Sequence, residues 1–139
     1  ERLLRGKALH ANLIPLYQEA EAPETMLAAL SEGLRPHLPI SVLLLGMGAD
    51  MHTASLFPGA DRLAEGLASD APILLPMRAE AAGEPRITLT APYLAGAMNI
   101  HILITGPEKR TALEHALHLP ADQAPIAAVL KNATVHWAA

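Results

Sequence analysis

The most constraining feature of the sequence is a short, continuous apolar run, Val-Leu-Leu-Leu at residues 42–45, bounded by Pro39 and Gly46. Such a run is typical of a strand buried on both faces, because a strand with one wet face alternates apolar and polar residues. Strands of this kind belong to parallel sheets flanked by helices. The sequence therefore predicts an α/β fold, Rossmann-like, with a mostly parallel sheet and helices on both faces.

The remaining segments agree with strands that alternate with helices. Residues 99–105 form the second strong strand, with Ile100, Ile102 and Ile104 on one face and His101 and Leu103 on the other. The pattern predicts helices at 1–17, 23–38, 61–67, 92–97, 106–117 and 125–130, and weaker strands at 73–77, 87–90 and 134–137, the last at an edge. We expect one α/β domain over residues 1–139.

Composition excludes several classes of function. The formal net charge of −4 disfavours a nucleic-acid binder, which needs clustered Lys and Arg. The longest apolar runs are far shorter than the roughly 20 residues of a membrane-spanning helix. There is no cysteine for a disulfide or a thiolate metal site. We expect a cytoplasmic protein that binds a small molecule, with no nucleic-acid or membrane partner.

Chemistry is expected beyond the carboxyl ends of the two strong strands, where loops and helix amino termini converge in open parallel sheets. The first loop carries Gly46, Gly48, Asp50 and His52, and the second carries Lys109. If the strands are parallel, both loops open on the same edge and can serve one pocket. Imidazole can take a proton from water and return it to a leaving oxygen near neutral pH. Asp50 is placed to orient His52 or to hold a substrate hydroxyl.

Two cations suit an anionic substrate. Lys109 lies in the first turn of its predicted helix, where free N–H groups already favour an anion, and Arg86 begins a short strand. A structural interpretation stays open for all of these residues: Gly46 and Gly48 as a tight turn, His52 as a cap, and both cations as solvated surface groups.

Other patterns are weaker. Met51 stands where a dinucleotide fingerprint requires its third glycine, which disfavours NAD binding. His115 and His118 have metal-like spacing without an evident third ligand, so we interpret them as surface residues and expect no metal. Ser55 lacks the flanking glycines of a nucleophile elbow.

The motif Gly-Met-Gly-Ala-Asp-Met-His-Thr-Ala-Ser-Leu-Phe-Pro-Gly at residues 46–59 closely resembles the signature of the 6-phosphogluconolactonase family. Segments 86–90, 105–109 and 125–130 resemble the family in the same order. The resemblance implies hydrolysis of 6-phospho-glucono-1,5-lactone to 6-phosphogluconate in the pentose phosphate pathway, without a cofactor. It implies His52 as the acid/base residue, Asp50 in the substrate pocket, and Arg86 and Lys109 on the phosphate. Independently of the resemblance, the missing side chains of Gly46 and Gly48 let backbone N–H groups face a ligand.

Two departures from the family pattern carry expectations of their own. Met51 replaces a usual glycine, and a side chain there is costly if the position needs a positive φ. The chain also resembles only the carboxyl-terminal portion of the family, so we expect an incomplete domain that lacks its amino-terminal part, is weakly active and tends to associate. The alternatives are a glucosamine-6-phosphate deaminase or isomerase-like enzyme, and a non-catalytic sugar-phosphate-binding module.

Overall fold

The computed structural model describes residues 6–16 and 22–139. The strands are β1 (Leu43–Leu45), β2 (Leu74–Met77), β3 (Arg86–Leu89), β4 (Ile100–Thr105) and β5 (Ala133–Ala138). The α-helices are α1 (Leu27–Leu34), α2 (Leu63–Leu67), α3 (Ala91–Ala95), α4 (Pro107–Ala116) and α5 (Ala127–Leu130). Short 3-10 turns at Pro23–Met26 and Arg35–His37 flank α1, so the predicted helix over 23–38 is confirmed.

The main sheet is parallel and has the order β1-β4-β5. Leu43 pairs with Ile100 and Leu45 with Ile102, while Ile100 pairs with Ala133 on the other side of β4. This register places β4 in the centre of the sheet. It places β5 at an edge, as the sequence predicted. A separate antiparallel ladder joins β2 to β3.

The core lies on one face of the main sheet. Ile100, Ile102 and Ile104 are buried there, as predicted from the alternation of β4. They pack in one cluster with Leu45 of β1 and with apolar side chains of the surrounding helices and loops: Leu94, Ala116, Ile126 and Val129. Burying a side chain of this size contributes about 1.5–3 kcal/mol, so this face dominates the stability of the sheet. The predicted α/β class is confirmed.

The opposite face of the main sheet is open in the described part of the chain. Leu44 is 65% exposed and Leu103 is 51% exposed. His101 and His136 stand on the same face, with Nδ1 and Nε2 of the two rings 3.0 Å apart. The prediction that residues 42–45 are buried on both faces is therefore wrong for Leu44 and for Val42, which is 64% exposed. Helices α3, α4 and α5, which contribute to the core, all pack on the other face.

The first predicted helix is also corrected. Among residues 6–16, only Gly6–Ala8 form a short 3-10 turn, and the rest of the prediction over 1–17 falls partly outside the described residues. Leu9 and Leu13 are 67% and 72% exposed. An amphipathic helix draws most of its stability from packing its apolar side, and these leucines have no core to join.

The β2–β3 ladder carries α1 on a second, smaller core. Leu30 of α1 packs against Ile73 and Leu74, and both of those residues are buried. The ladder also meets the loop after β1, because the Ser55 N–H donates to Thr88 Oγ1 at 3.1 Å. Within the described residues, no helix combines the length and the apolar character needed to cross a lipid bilayer.

Candidate active site

The loop after β1 is held by its own backbone. The Met51 N–H donates to the Gly48 carbonyl at 3.0 Å, and the Gly48 N–H donates to the His52 carbonyl at 3.1 Å. The buried Thr53 hydroxyl donates to the Gly46 carbonyl at 2.9 Å. These bonds close a tight turn that returns the chain to the end of β1. They also occupy the Gly48 N–H, which is therefore not free to bind a ligand.

Asp50 and His52 form a hydrogen-bonded pair in this turn. Asp50 Oδ1 lies 2.5 Å from His52 Nδ1 and also accepts the His52 backbone N–H at 3.2 Å. A carboxylate that accepts the Nδ1 proton leaves Nε2 as the basic nitrogen of a neutral imidazole. Of the two roles considered for Asp50, the geometry favours orientation of His52.

Gly48 lies directly beneath this pair. A Cβ atom at position 48 would overlap Asp50 Oδ1 and both Nδ1 and Cε1 of His52, whereas a Cβ atom at Gly46 would meet open space. The absence of a side chain at Gly48 therefore permits the pair to pack against the backbone. The two glycines look equivalent in the sequence, but only Gly48 is required by the packing of the side chains around it.

Phe57 fixes the plane of the imidazole. Its ring stacks on that of His52 with centroids 4.1 Å apart and an angle of 26° between the planes. Phe57 is itself buried in the main core, so it provides a rigid platform. With Asp50 at one edge and Phe57 on one face, the orientation of His52 is set by two independent contacts.

Met51 has a left-handed backbone conformation, with φ at 67°. A side chain in place of the family's usual glycine was expected to be costly in this conformation. The side chain of Met51 is partly buried against the main core, and the Met51 carbonyl accepts the Ile126 N–H at 3.1 Å. A non-glycine residue in this region costs about 1 kcal/mol or more. The turn that presents His52 is thus strained and anchored at the same residue.

Lys109 reaches the same region from α4. Gly106, with φ at 83°, ends β4, and Pro107 begins the helix, where its missing N–H costs nothing. Lys109 stands third in the helix and makes no ion pair with residues 6–16 or 22–139. Its ammonium is therefore available to an external anion beside the positive end of α4.

One cavity of about 400 Å³ joins the two loops, and its lining includes Gly46, Gly48, His52, Lys109 and Leu44. The structure thus brings together the imidazole and the ammonium that the topology argument placed at one sheet edge. Asp50 contacts His52 from outside this lining. A cavity with a base and a cation suits a small anionic substrate.

Arg86 stands outside that lining. Its Nη2 lies 3.4 Å from Glu84 Oε1 and 3.3 Å from the Ala82 carbonyl. Glu84 borders a second cavity of about 430 Å³, which carries the carboxylates of Asp61, Glu80 and Glu84 against the single guanidinium of Arg78. This acidic lining disfavours a phosphate. The role of Arg86 stays a prediction, as do those of the other site residues.

Two residues that hold the loops of the site were not predicted from the spacing of the motifs. Phe57 stacks on His52, and Trp137 donates its indole N–H to the carbonyl of Gly106 at 2.9 Å. The chain holds one Phe and one Trp, and this scarcity was the available signal. His115 and His118 are exposed, as expected for surface residues.

Comparison with known proteins supplies the family. The family model described as glucosamine-6-phosphate isomerases/6-phosphogluconolactonase matches residues 1–137. A 6-phosphogluconolactonase of Mesorhizobium japonicum is 46% identical over 98% of this chain and 59% of its own length. One from Rhizobium meliloti is 41% identical over 99% of this chain and 62% of its own length.

The fold agrees with these relatives. The crystal structure of a 6-phosphogluconolactonase from Shewanella baltica superposes with a TM-score of 0.91 at 29% identity, covering 99% of this chain and 61% of that one. The chain therefore spans about three fifths of the length of the proteins it matches. On the match to nearly its whole length, this chain belongs to the family of glucosamine-6-phosphate isomerases and 6-phosphogluconolactonases.

Proposed function

We propose that this chain carries the catalytic loop of a 6-phosphogluconolactonase, which hydrolyses 6-phospho-glucono-1,5-lactone to 6-phosphogluconate. His52 Nε2 removes a proton from water while the water oxygen bonds to the lactone carbonyl carbon. The bond from that carbon to the ring oxygen then breaks, and the imidazolium returns the proton to the ring oxygen. The product is an open-chain acid with one new hydroxyl. No cofactor enters this sequence.

The observation that carries the proposal is the shared cavity of His52 and Lys109. Lys109 holds the substrate phosphate at one end, and His52 meets the lactone carbonyl at the other. Asp50 keeps the proton on Nδ1, so that Nε2 acts as the base. Phe57 holds the ring against rotation.

Gly46, Gly48 and Arg86 have proposed substrate-binding roles that the geometry supports unequally. Both Gly46 and Gly48 line the cavity. Gly46 has open space beside its Cα and lets a substrate approach the backbone, whereas the corresponding space at Gly48 is filled by Asp50 and His52. Arg86 must exchange its partner Glu84 for the phosphate. A half-exposed ion pair contributes about 0–1 kcal/mol, so this exchange is inexpensive.

We further propose that the 139-residue chain is an incomplete lactonase domain with low activity by itself. The relatives named as lactonases are longer, and the open sheet face beside the cavity leaves Leu44 without cover. Restoring the unmatched part from the Mesorhizobium relative should raise turnover. We also propose a cytoplasmic location, with which the absence of cysteine agrees, and cell fractionation would test it.

The decisive experiment measures formation of 6-phosphogluconate above the uncatalysed background, for the chain alone and for the restored full-length form. His52→Ala should lower turnover by a factor of roughly 100 or more. His118→Ala, which removes an exposed imidazole, is the matched control and should leave turnover unchanged.

Glucosamine 6-phosphate is offered in a parallel assay. Ammonia release from that substrate without lactone hydrolysis would replace the proposal with a deaminase. Binding of 6-phosphogluconate without either reaction, even in the restored form, would indicate a binding module instead.

A further inference from the structure

The start of α4 is held by the last residues of β5 rather than by a cap of its own. The Gly106 N–H donates to the Ala138 carbonyl at 2.9 Å, and the Gly106 carbonyl accepts the Trp137 indole N–H, also at 2.9 Å. No side chain caps α4. Both polar backbone atoms of Gly106 are therefore fixed by the edge strand.

This contact matters because Gly106 is the hinge between β4 and the helix that carries Lys109. Glycine has wide conformational freedom, so the direction in which α4 leaves the strand is poorly set by the local sequence. The two hydrogen bonds remove that freedom. Lys109 follows three residues later and lines the same cavity as His52.

The Trp137 ring also contacts Arg110, the residue next to Lys109. The Arg110 guanidinium carbon lies 4.8 Å from the centroid of the Trp137 ring, and Arg110 Nε donates to Glu114 at 3.1 Å. Consecutive helical residues point in directions about 100° apart. With Arg110 kept on the indole face, Lys109 is the residue of the pair that faces the cavity.

We propose that Trp137 is a positioning residue for the anion site: its N–H fixes Gly106, its ring retains Arg110, and together these contacts aim Lys109 at the phosphate of the substrate. This inference rests on the proposed function for the identity of the anion. It extends that function by giving the edge strand a part in substrate binding.

The native tryptophan provides the first test. Because Trp137 is the single Trp of the chain, its fluorescence reports on the start of α4. Titration with 6-phosphogluconate should give a saturable change in emission. Lys109→Ala should abolish the change, and Lys131→Ala, a lysine outside the cavity lining, should retain it. A change that survives Lys109→Ala would overturn both this proposal and the phosphate role of Lys109.

The second test separates positioning from the proposed function. Trp137→Phe keeps an aromatic face for Arg110 and loses the N–H, so calorimetry should show roughly 2- to 10-fold weaker binding of 6-phosphogluconate. In the restored enzyme, KM should rise by a similar factor with kcat unchanged. If Trp137→Phe binds as tightly as the wild type at a temperature where both are folded, the positioning role of Trp137 is refuted. The proposed phosphate role of Lys109 is not contradicted by that result.

A measurement on the unmodified chain covers the case in which Trp137→Phe does not fold. The Trp137 indole N–H should exchange with solvent more slowly than that of free tryptophan, because it is bonded to Gly106. Its exchange should slow further when 6-phosphogluconate binds. Exchange at the free rate would show that the contact does not hold the helix start.

Discussion

The two loops that line the cavity hold their functional groups in different ways. The loop after β1 orients His52 through residues of the same short segment, Asp50 and Phe57, above Gly48. The loop after β4 depends on Trp137 and Ala138, which lie some thirty residues further along the chain. The orientation of His52 thus rests on neighbouring residues, whereas the start of the helix that carries Lys109 rests on contacts to the edge strand.

This difference has a consequence for stability. Local contacts form whenever the turn forms, but contacts to an edge strand are lost when that strand frays. We therefore expect the orientation of His52 to persist under mild destabilisation that already loosens Lys109. The predictions below test the two arrangements separately.

The largest effect is expected from Gly48→Ala. The added methyl group would overlap Asp50 and His52, so the pair must move and turnover in the restored enzyme should fall about 100-fold, the usual effect of a misplacement near 1 Å. Gly46→Ala is the control for structure, because its methyl group meets open space. Nitrogen-15 shifts of His52 should change in the first variant and not in the second. An unaltered His52 signal in Gly48→Ala would contradict the local arrangement.

A smaller effect is expected at Met51. In the left-handed region glycine is favoured, so Met51→Gly should be more stable than Met51→Ala by about 1 kcal/mol in urea unfolding. The order should reverse in α1, where Gly33→Ala has room for its methyl group and should stabilise the chain by about 0.5–1 kcal/mol. If the Ala variant were the more stable one at position 51 as well as at position 33, the turn would not be strained.

The smallest effect is the coupling between the loops. Phe57→Leu removes the platform under His52, and Trp137→Phe removes the bond to Gly106. Because the two sites are held by separate contacts, their effects on the free energy of unfolding should add within about 0.5 kcal/mol. A coupling well above 1 kcal/mol in the double-mutant cycle would mean that the loops form one unit.

The sequence predicts best where periodicity and burial agree. The alternation in β4 correctly predicted which isoleucines are buried, and the parallel topology correctly predicted that the loops after β1 and β4 meet. The motif pointed to His52, whose role stays a prediction, and the family's usual glycine at position 51 pointed to the positive φ that Met51 adopts.

The failures have physical causes. The leucines before residue 16 have helical spacing, but spacing does not reveal whether a surface exists to cover them, and Leu9 and Leu13 remain exposed. The apolar run of β1 similarly predicts burial of Leu44, but the run does not show whether another element packs against that side chain. The contact between Trp137 and Gly106 spans 31 positions, beyond the reach of any local pattern.

The exposed position of Leu44 has a consequence for access to the cavity. This side chain belongs both to the uncovered side of the main sheet and to the wall that borders His52 and Lys109. Any polypeptide that packs on that side of the sheet will therefore also contact a wall of the cavity. Access to the cavity therefore depends on what packs against this side of the sheet as well as on the two loops that line the cavity.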